Sequence, residues 1–132
     1  MEKNSLVTLN NISKEEAWKM IDKFRNHYKG NKFPGAEYLS HGVWFSFQDL
    51  NNWISNAKDC TGVRIYFATY LDNEPHRSRI TGKDYNYKHR NTVVLIATKK
   101  VGDIEQDQYI TVTQKLIDDP FNKGELCPEE CG

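Results

Sequence analysis

Arg64 stands in the middle of Thr61-Gly62-Val63-Arg64-Ile65-Tyr66-Phe67-Ala68-Thr69-Tyr70, a stretch otherwise aromatic, β-branched or small. Such a stretch reads as a buried strand, because branched and aromatic side chains suit a packed, pleated surface. A guanidinium there must reach water, pair with a carboxylate or face a ligand. The two-residue period of a strand puts Arg64, Tyr66 and Tyr70 on one face and Val63, Ile65 and Phe67 on the other. One chemistry this allows is an anion pocket, with Arg64 as a bidentate fork and the tyrosines as walls and donors. The plainer alternative, which the residue types favour, is a structural ion pair with Asp49, Asp59 or an acid from the C-terminal third. His41, beside Ser40 and just before Gly42, is a candidate acid or base.

Three further groupings could carry chemistry. Cys127 and Cys131 lie four residues apart. They could bind metal or form a redox pair, but zinc sites use closer pairs joined by a second pair of ligands. The favoured reading has no bound metal, with one thiol packed, the other idle, and Leu126 as the anchor of the tail. Asp72, Glu74 and His76 alternate, so an extended backbone would aim all three at one cation; a solvated turn around Pro75 is preferred. His76 to Arg90 interleaves Arg77, Arg79, Lys83, Lys88 and Arg90 with Tyr85 and Tyr87. That mixture can bind phosphates and stack bases, but no nucleic-acid fold signature accompanies it, so nucleic acid is disfavoured. No nucleophile elbow, phosphate-cradling glycine loop or His-Glu-x-x-His pair occurs.

The elements that must position these residues follow from local grammar. Ser13 and Glu16 form a capping box, Ile12 can staple onto Ala17, and Ala17, Met20, Ile21, Phe24 and Tyr28 recur at helical spacing, which predicts a helix over 13–29. Ser46, followed by Asp49 and Leu50, opens a second helix with Leu50, Trp53, Ile54 and Ala57 as its apolar stripe. Gly42-Val43-Trp44-Phe45 reads as a short strand. Residues 71–91 read as a loop. Residues 91–98 form a continuous apolar run that suggests a central strand covered on both faces. Val101-Gly102-Asp103 is a turn, and residues 109–113 are expected to pair back as the hairpin partner. From about residue 118 the chain reads as an irregular acidic tail.

The stretches Gly42-Val43-Trp44-Phe45-Ser46, Gly62-Val63-Arg64-Ile65-Tyr66-Phe67, Asn91-Thr92-Val93 and Gly124-Glu125-Leu126-Cys127-Pro128, with Cys131 beyond, carry a resemblance. In their order, residues 41–132 are similar to a group of small uncharacterised bacterial proteins, chiefly from Bacteroidetes. The resemblance implies a bacterial origin and a natural C-terminus. It brings no activity, cofactor or functional residue with it.

Composition bounds the rest. The 132 residues suffice for one domain, 1–132, with one core. Net charge is zero but unevenly spread. Residues 1–100 hold 16 Lys and Arg against 10 Asp and Glu, whereas residues 101–132 hold 2 against 8. A basic body and an acidic tail can attract each other within or between molecules. The first residues lack a basic, then apolar, leader, and no apolar run reaches the ~20 residues that span a bilayer, so a cytoplasmic location off the membrane is expected.

The sequence thus predicts an α+β fold, a small and mostly antiparallel sheet with two main helices packed on one side. The function it favours is a non-enzymatic binding or interaction module without a cofactor, acting on a protein partner or on itself. The alternatives are a small enzyme or metal protein built around His41, Arg64 and the cysteine pair, and a self-assembling structural subunit. In the favoured reading the tentative ligand-binding residues are Arg64, Tyr66, Tyr70 and His41.

Overall fold

The computed structural model describes residues 11–78, 80–108 and 124–127. The fold is α+β, with two helices and antiparallel strand pairs throughout the described residues. Contacts gather into two compact units, Met1–Asn31 and Lys32–Gly132.

The first unit holds helix α1, Lys14–His27. Ser13 caps it, accepting the Glu16 N–H at 3.0 Å, as its position predicts. The helix stops two residues short of the expected end, where Tyr28 donates its N–H back to the Phe24 carbonyl. None of its side chains is buried. The Phe24 and Tyr28 rings meet at 5.0 Å, tilted by 48°, and the Arg25 guanidinium lies over the Trp18 ring.

The second unit is built on a three-stranded antiparallel sheet. Its strands are β2 (Gly62–Thr69), β5 (Asn91–Val101) and β6 (Ile104–Asp107), in the order β2-β5-β6. The apolar run of β5 is central, as expected, and Leu95 to Thr98 are all buried. The β5–β6 hairpin closes on Gly102 and Asp103, with Gly102 at φ +65°, the backbone that a two-residue hairpin turn demands of its first position. The hairpin partner therefore begins at Ile104, not at residue 109; residues 109–113 lie outside the described residues.

Helix α2, Phe47–Asn56, starts at its Ser46 cap, whose Oγ accepts the Asp49 N–H at 3.0 Å. Its Trp53 packs on Leu95 and Ala97 of β5, with Phe45, Leu50, Ala57, Cys60 and Val93 around them. Leu50 and Ala57 belong to the predicted helix stripe and Val93 to the odd-numbered face of β5, while Phe45 and Cys60 flank the helix.

Two short pairs complete the unit. β3 (Pro75–Arg77) and β4 (Asp84–Asn86) form an antiparallel hairpin inside the segment expected to be a loop. β1 (Gly42–Trp44) pairs with β7 (Glu125–Cys127), so the expected irregular tail contains a strand. Leu126 is fully buried with Tyr70 and Tyr87, flanked by Val43 and Tyr85, and anchors β7 as expected. Gly124 precedes it because a Cβ there would lie 2.3 Å from Val43 Cγ1 and 2.8 Å from the Trp44 carbonyl oxygen. Only glycine lets β7 approach β1 so closely.

Candidate functional site

β2 is where the sequence reading is most corrected. The strand is an edge of the sheet among the described strands, not an internal one. Its register against β5 is unbroken from Gly62 to Thr69, with Val63, Ile65 and Phe67 opposite Ala97, Leu95 and Val93. All three β2 side chains therefore project on the face that α2 covers. But α2 sits over β5, and no other described element of this unit shields its neighbour. Val63, Ile65 and Phe67 are 43%, 56% and 94% exposed. The aromatic and branched composition that suggested core membership instead makes an open apolar strip. At its start lies a cavity of about 270 Å³ lined by Trp53 and Ile54 of α2, its C-cap Ala57, and Cys60, Val63 and Ala97.

The opposite face of β2 is closed by polar contacts. Arg64 lies across from Ile96, and its guanidinium spans β5 to reach Asp107 on β6. Nη1 donates to Asp107 Oδ1, the Tyr66 hydroxyl donates to Asp107 Oδ2, and Nη2 donates to the Glu105 carbonyl at 3.3 Å. The Arg64 stem must cross Ile96, which is buried on this face. Asp107, first through its hydrogen bond and then through its charge, pushes the Arg64 pKa further above its ordinary value. Beside this pair, Glu105 accepts hydroxyls from Thr98 at 2.8 Å and Thr61 at 2.9 Å. These bonds, Thr98's first, hold its carboxyl below the usual carboxylate range. The fork that could have gripped an anion is thus occupied by an acid from the C-terminal third.

The other two sequence candidates lie elsewhere. Tyr70, just past β2, is buried in the Leu126 cluster with its ring 5.7 Å from that of Tyr87. His41 precedes β1, and its backbone N–H donates to the Cys127 carbonyl. So Arg64 and Tyr66 act together, while Tyr70 and His41 belong to the region around β1 and β7.

That region contains a buried polar cluster with little signature in the sequence. Arg90, grouped above with a solvated basic loop, is 1% exposed. Its guanidinium lies between the rings of Tyr38 and Tyr87, at 5.5 and 5.4 Å, and Nε donates to Ser40 Oγ at 3.3 Å. Glu125, equally buried, meets His76 Nε2 at 2.9 Å. The Tyr87 hydroxyl accepts the Leu126 N–H, and its ring stacks on His76 at 4.7 Å. Ser40 and Asn91 bond reciprocally, tying the approach to β1 to the first residue of β5. The acidic tail does meet the basic segment here, through Glu125 and His76; Asp118, Asp119, Glu129 and Glu130 lie outside the described residues.

The Asp72, Glu74, His76 grouping is dispersed. The chain bends at Asp72 and becomes extended only at Pro75, so the three side chains find different partners. Asp72 bonds His89 Nε2 at 2.7 Å, the Glu74 N–H donates to Asn86, and His76 goes to Glu125. No group of three or more metal-ligating side chains is assembled among the described residues. Cys127 is disulfide-bonded, which corrects the expectation of idle tail thiols. Cys60 keeps its thiol, and Cys131 lies outside the described residues. No helix among the described residues is long and apolar enough to cross a membrane.

No protein-family model matches the chain, and no curated protein and no solved structure matches it either.

Proposed function

We propose that this chain is a non-enzymatic binding or interaction module that works through the apolar face of β2. The observation that carries the reading is the exposure of Val63, Ile65 and Phe67 in one line beside α2. Contiguous exposed apolar surface of this kind marks interaction sites, whereas singly scattered apolar residues do not. The groups an enzyme would need are engaged inside the chain instead, Arg64 and Tyr66 with Asp107 and His76 with Glu125. The partner is a protein surface, because the strip is long and uncharged and its cavity falls just below the ~300–1,000 Å³ of small-molecule sites. The disulfide at Cys127 favours an oxidising compartment over the cytoplasm expected from the sequence.

The test is thiol labelling of Phe67→Cys in a Cys60→Ser background with a water-soluble maleimide. The folded protein should react at a rate close to that of the same protein unfolded in urea. Protection that disappears only on unfolding would mean the chain covers its own strip, and the reading would fail.

A further inference from the structure

We propose that the partner at this surface is a second copy of the chain, joined edge to edge through β2 in antiparallel register, with a two-fold axis at Ile65. The proposal rests on the interaction reading above and names its occupant. β2 has eight residues in unbroken register, with no proline, no bulge and no lysine, and its single charge, Arg64, is drawn back over β5 to Asp107 of its own chain, so little keeps this edge strand from pairing. Its backbone edge away from β5 pairs with no other strand among the described residues.

The strand is self-complementary about Ile65. In a two-fold antiparallel pair, residues whose numbers sum to 130 face each other. Ile65 then meets Ile65 of the second copy, and Val63 meets Phe67. Thr61 meets Thr69, a pair that hydrogen-bonds well across strands. On the α2 face, the exposed Phe67 ring of the second copy comes directly beside Val63, at the mouth of the cavity under Trp53 and Ile54. On the other face, Arg64 lies opposite the ring of Tyr66. The two guanidiniums are therefore diagonal rather than opposed, and each cation faces an electron-rich ring. No like charges meet anywhere along the register.

Pairing also ends with two copies. The resulting sheet runs β6-β5-β2 and then β2-β5-β6 of the second copy, leaving β6 at both margins among the described strands. β6 is four residues long and carries Glu105 and Asp107, the short acidic form in which edges resist further addition.

Ile65→Cys in the Cys60→Ser background tests the register, because the two-fold sets this side chain against its own copy at Cβ separations within reach of a disulfide. Under mild oxidation it should give a covalent dimer about tenfold faster than Val63→Cys, which faces Phe67 of the second copy rather than its own counterpart. Light scattering on the unmodified chain should give twice the chain mass, persisting in high salt and halving on dilution. Ile65→Lys should be monomeric and folded, since it alters an exposed residue and opposes two like charges. A chain that stays monomeric at every concentration, or equal crosslinking at 63 and 65, overturns the proposal. A monomer whose residue 67 reacts freely with maleimide leaves the interaction reading standing with another partner; one whose residue 67 is protected overturns both.

Discussion

β2 and β7 are opposites. β2 has eight residues, most of them apolar or aromatic, and six are exposed. β7 has three residues, one of them a glutamate, and Glu125 and Leu126 are both buried. Burial here follows what covers a strand, not what the strand is made of. β7 is enclosed because Leu126 fills the space between Tyr70, Tyr87 and Val43, and because His76 receives the carboxylate beside it. β2 is left open because α2 is a single helix over the middle of a three-stranded sheet. A helix with its side chains is about 10 Å wide and strands lie about 4.8 Å apart, so one helix shields roughly two strands at best. Here it sits over β5.

The largest expected effect lies at the enclosed strand. Leu126→Ala should lower the unfolding free energy by about 2–5 kcal/mol, as truncation of a fully buried leucine does. Urea denaturation measures it. An unchanged midpoint would mean that β7 is not an anchor and that its three residues are as peripheral as their length suggests.

A smaller effect belongs to the polar face of β2. Arg64→Met should destabilise less than Leu126→Ala, because the ion pair is partly exposed and Tyr66 still bonds the carboxylate left behind. The difference between variant and parent should shrink as salt rises, since charges near the surface are screened over roughly 8–10 Å. A loss that is equal at low and high salt would show that the Arg64 stem over Ile96, not its charge, closes this face.

Much of this molecule is legible from residue order. Ser13 and Ser46 cap the helices because their hydroxyls suit the first free N–H groups, and Gly102 turns the β5–β6 hairpin because only glycine takes its φ freely. The strand of 91–98 is central because its apolar residues occupy both faces in succession. What could not be read is sheet order. β2 and β5 carry the same kind of apolar signal, and nothing local says which one lies inside. Leu126 could be picked out as an anchor, but three residues are too few to display the period of a strand. The contacts of β7 lie far away in the chain, at Val43, Tyr70 and Tyr87. Arg90 shared its surroundings with solvated lysines, and only the tyrosine rings on either side of it explain its burial. Arg64 was legible as an arginine needing an acid; that the acid is Asp107 depends on how β6 folds back on β5.

Acid gives a third and weaker handle on the same face. Glu105 has its carboxyl held below the usual range by hydroxyls from Thr98 and Thr61. A carboxyl whose folded pKa is depressed contributes fully above its unfolded value, near 4.3, and loses that contribution as pH falls towards the folded value. Stability should therefore slope downward as pH falls below that unfolded value, and Glu105→Gln should flatten that part of the curve. An unaltered slope would assign the acid sensitivity to other carboxylates.

The smallest effect is the most telling. Phe67 is an aromatic residue in the middle of a regular strand, and composition alone would give its truncation the 3–5 kcal/mol of a core phenylalanine. Its ring is almost wholly exposed, so at concentrations where the chain is monomeric Phe67→Ala should change the unfolding free energy by no more than about 0.5 kcal/mol. The same substitution should remove association, because it deletes the ring that meets Val63 of the second copy. The two measurements must therefore separate on dilution. The parent should lose thermal stability as it is diluted, since a dimer's stability depends on its concentration. The variant should start at the diluted value and stay there. A Phe67→Ala protein that is strongly destabilised even when dilute would place the ring in its own chain's core, and the contrast between β2 and β7 would vanish with it.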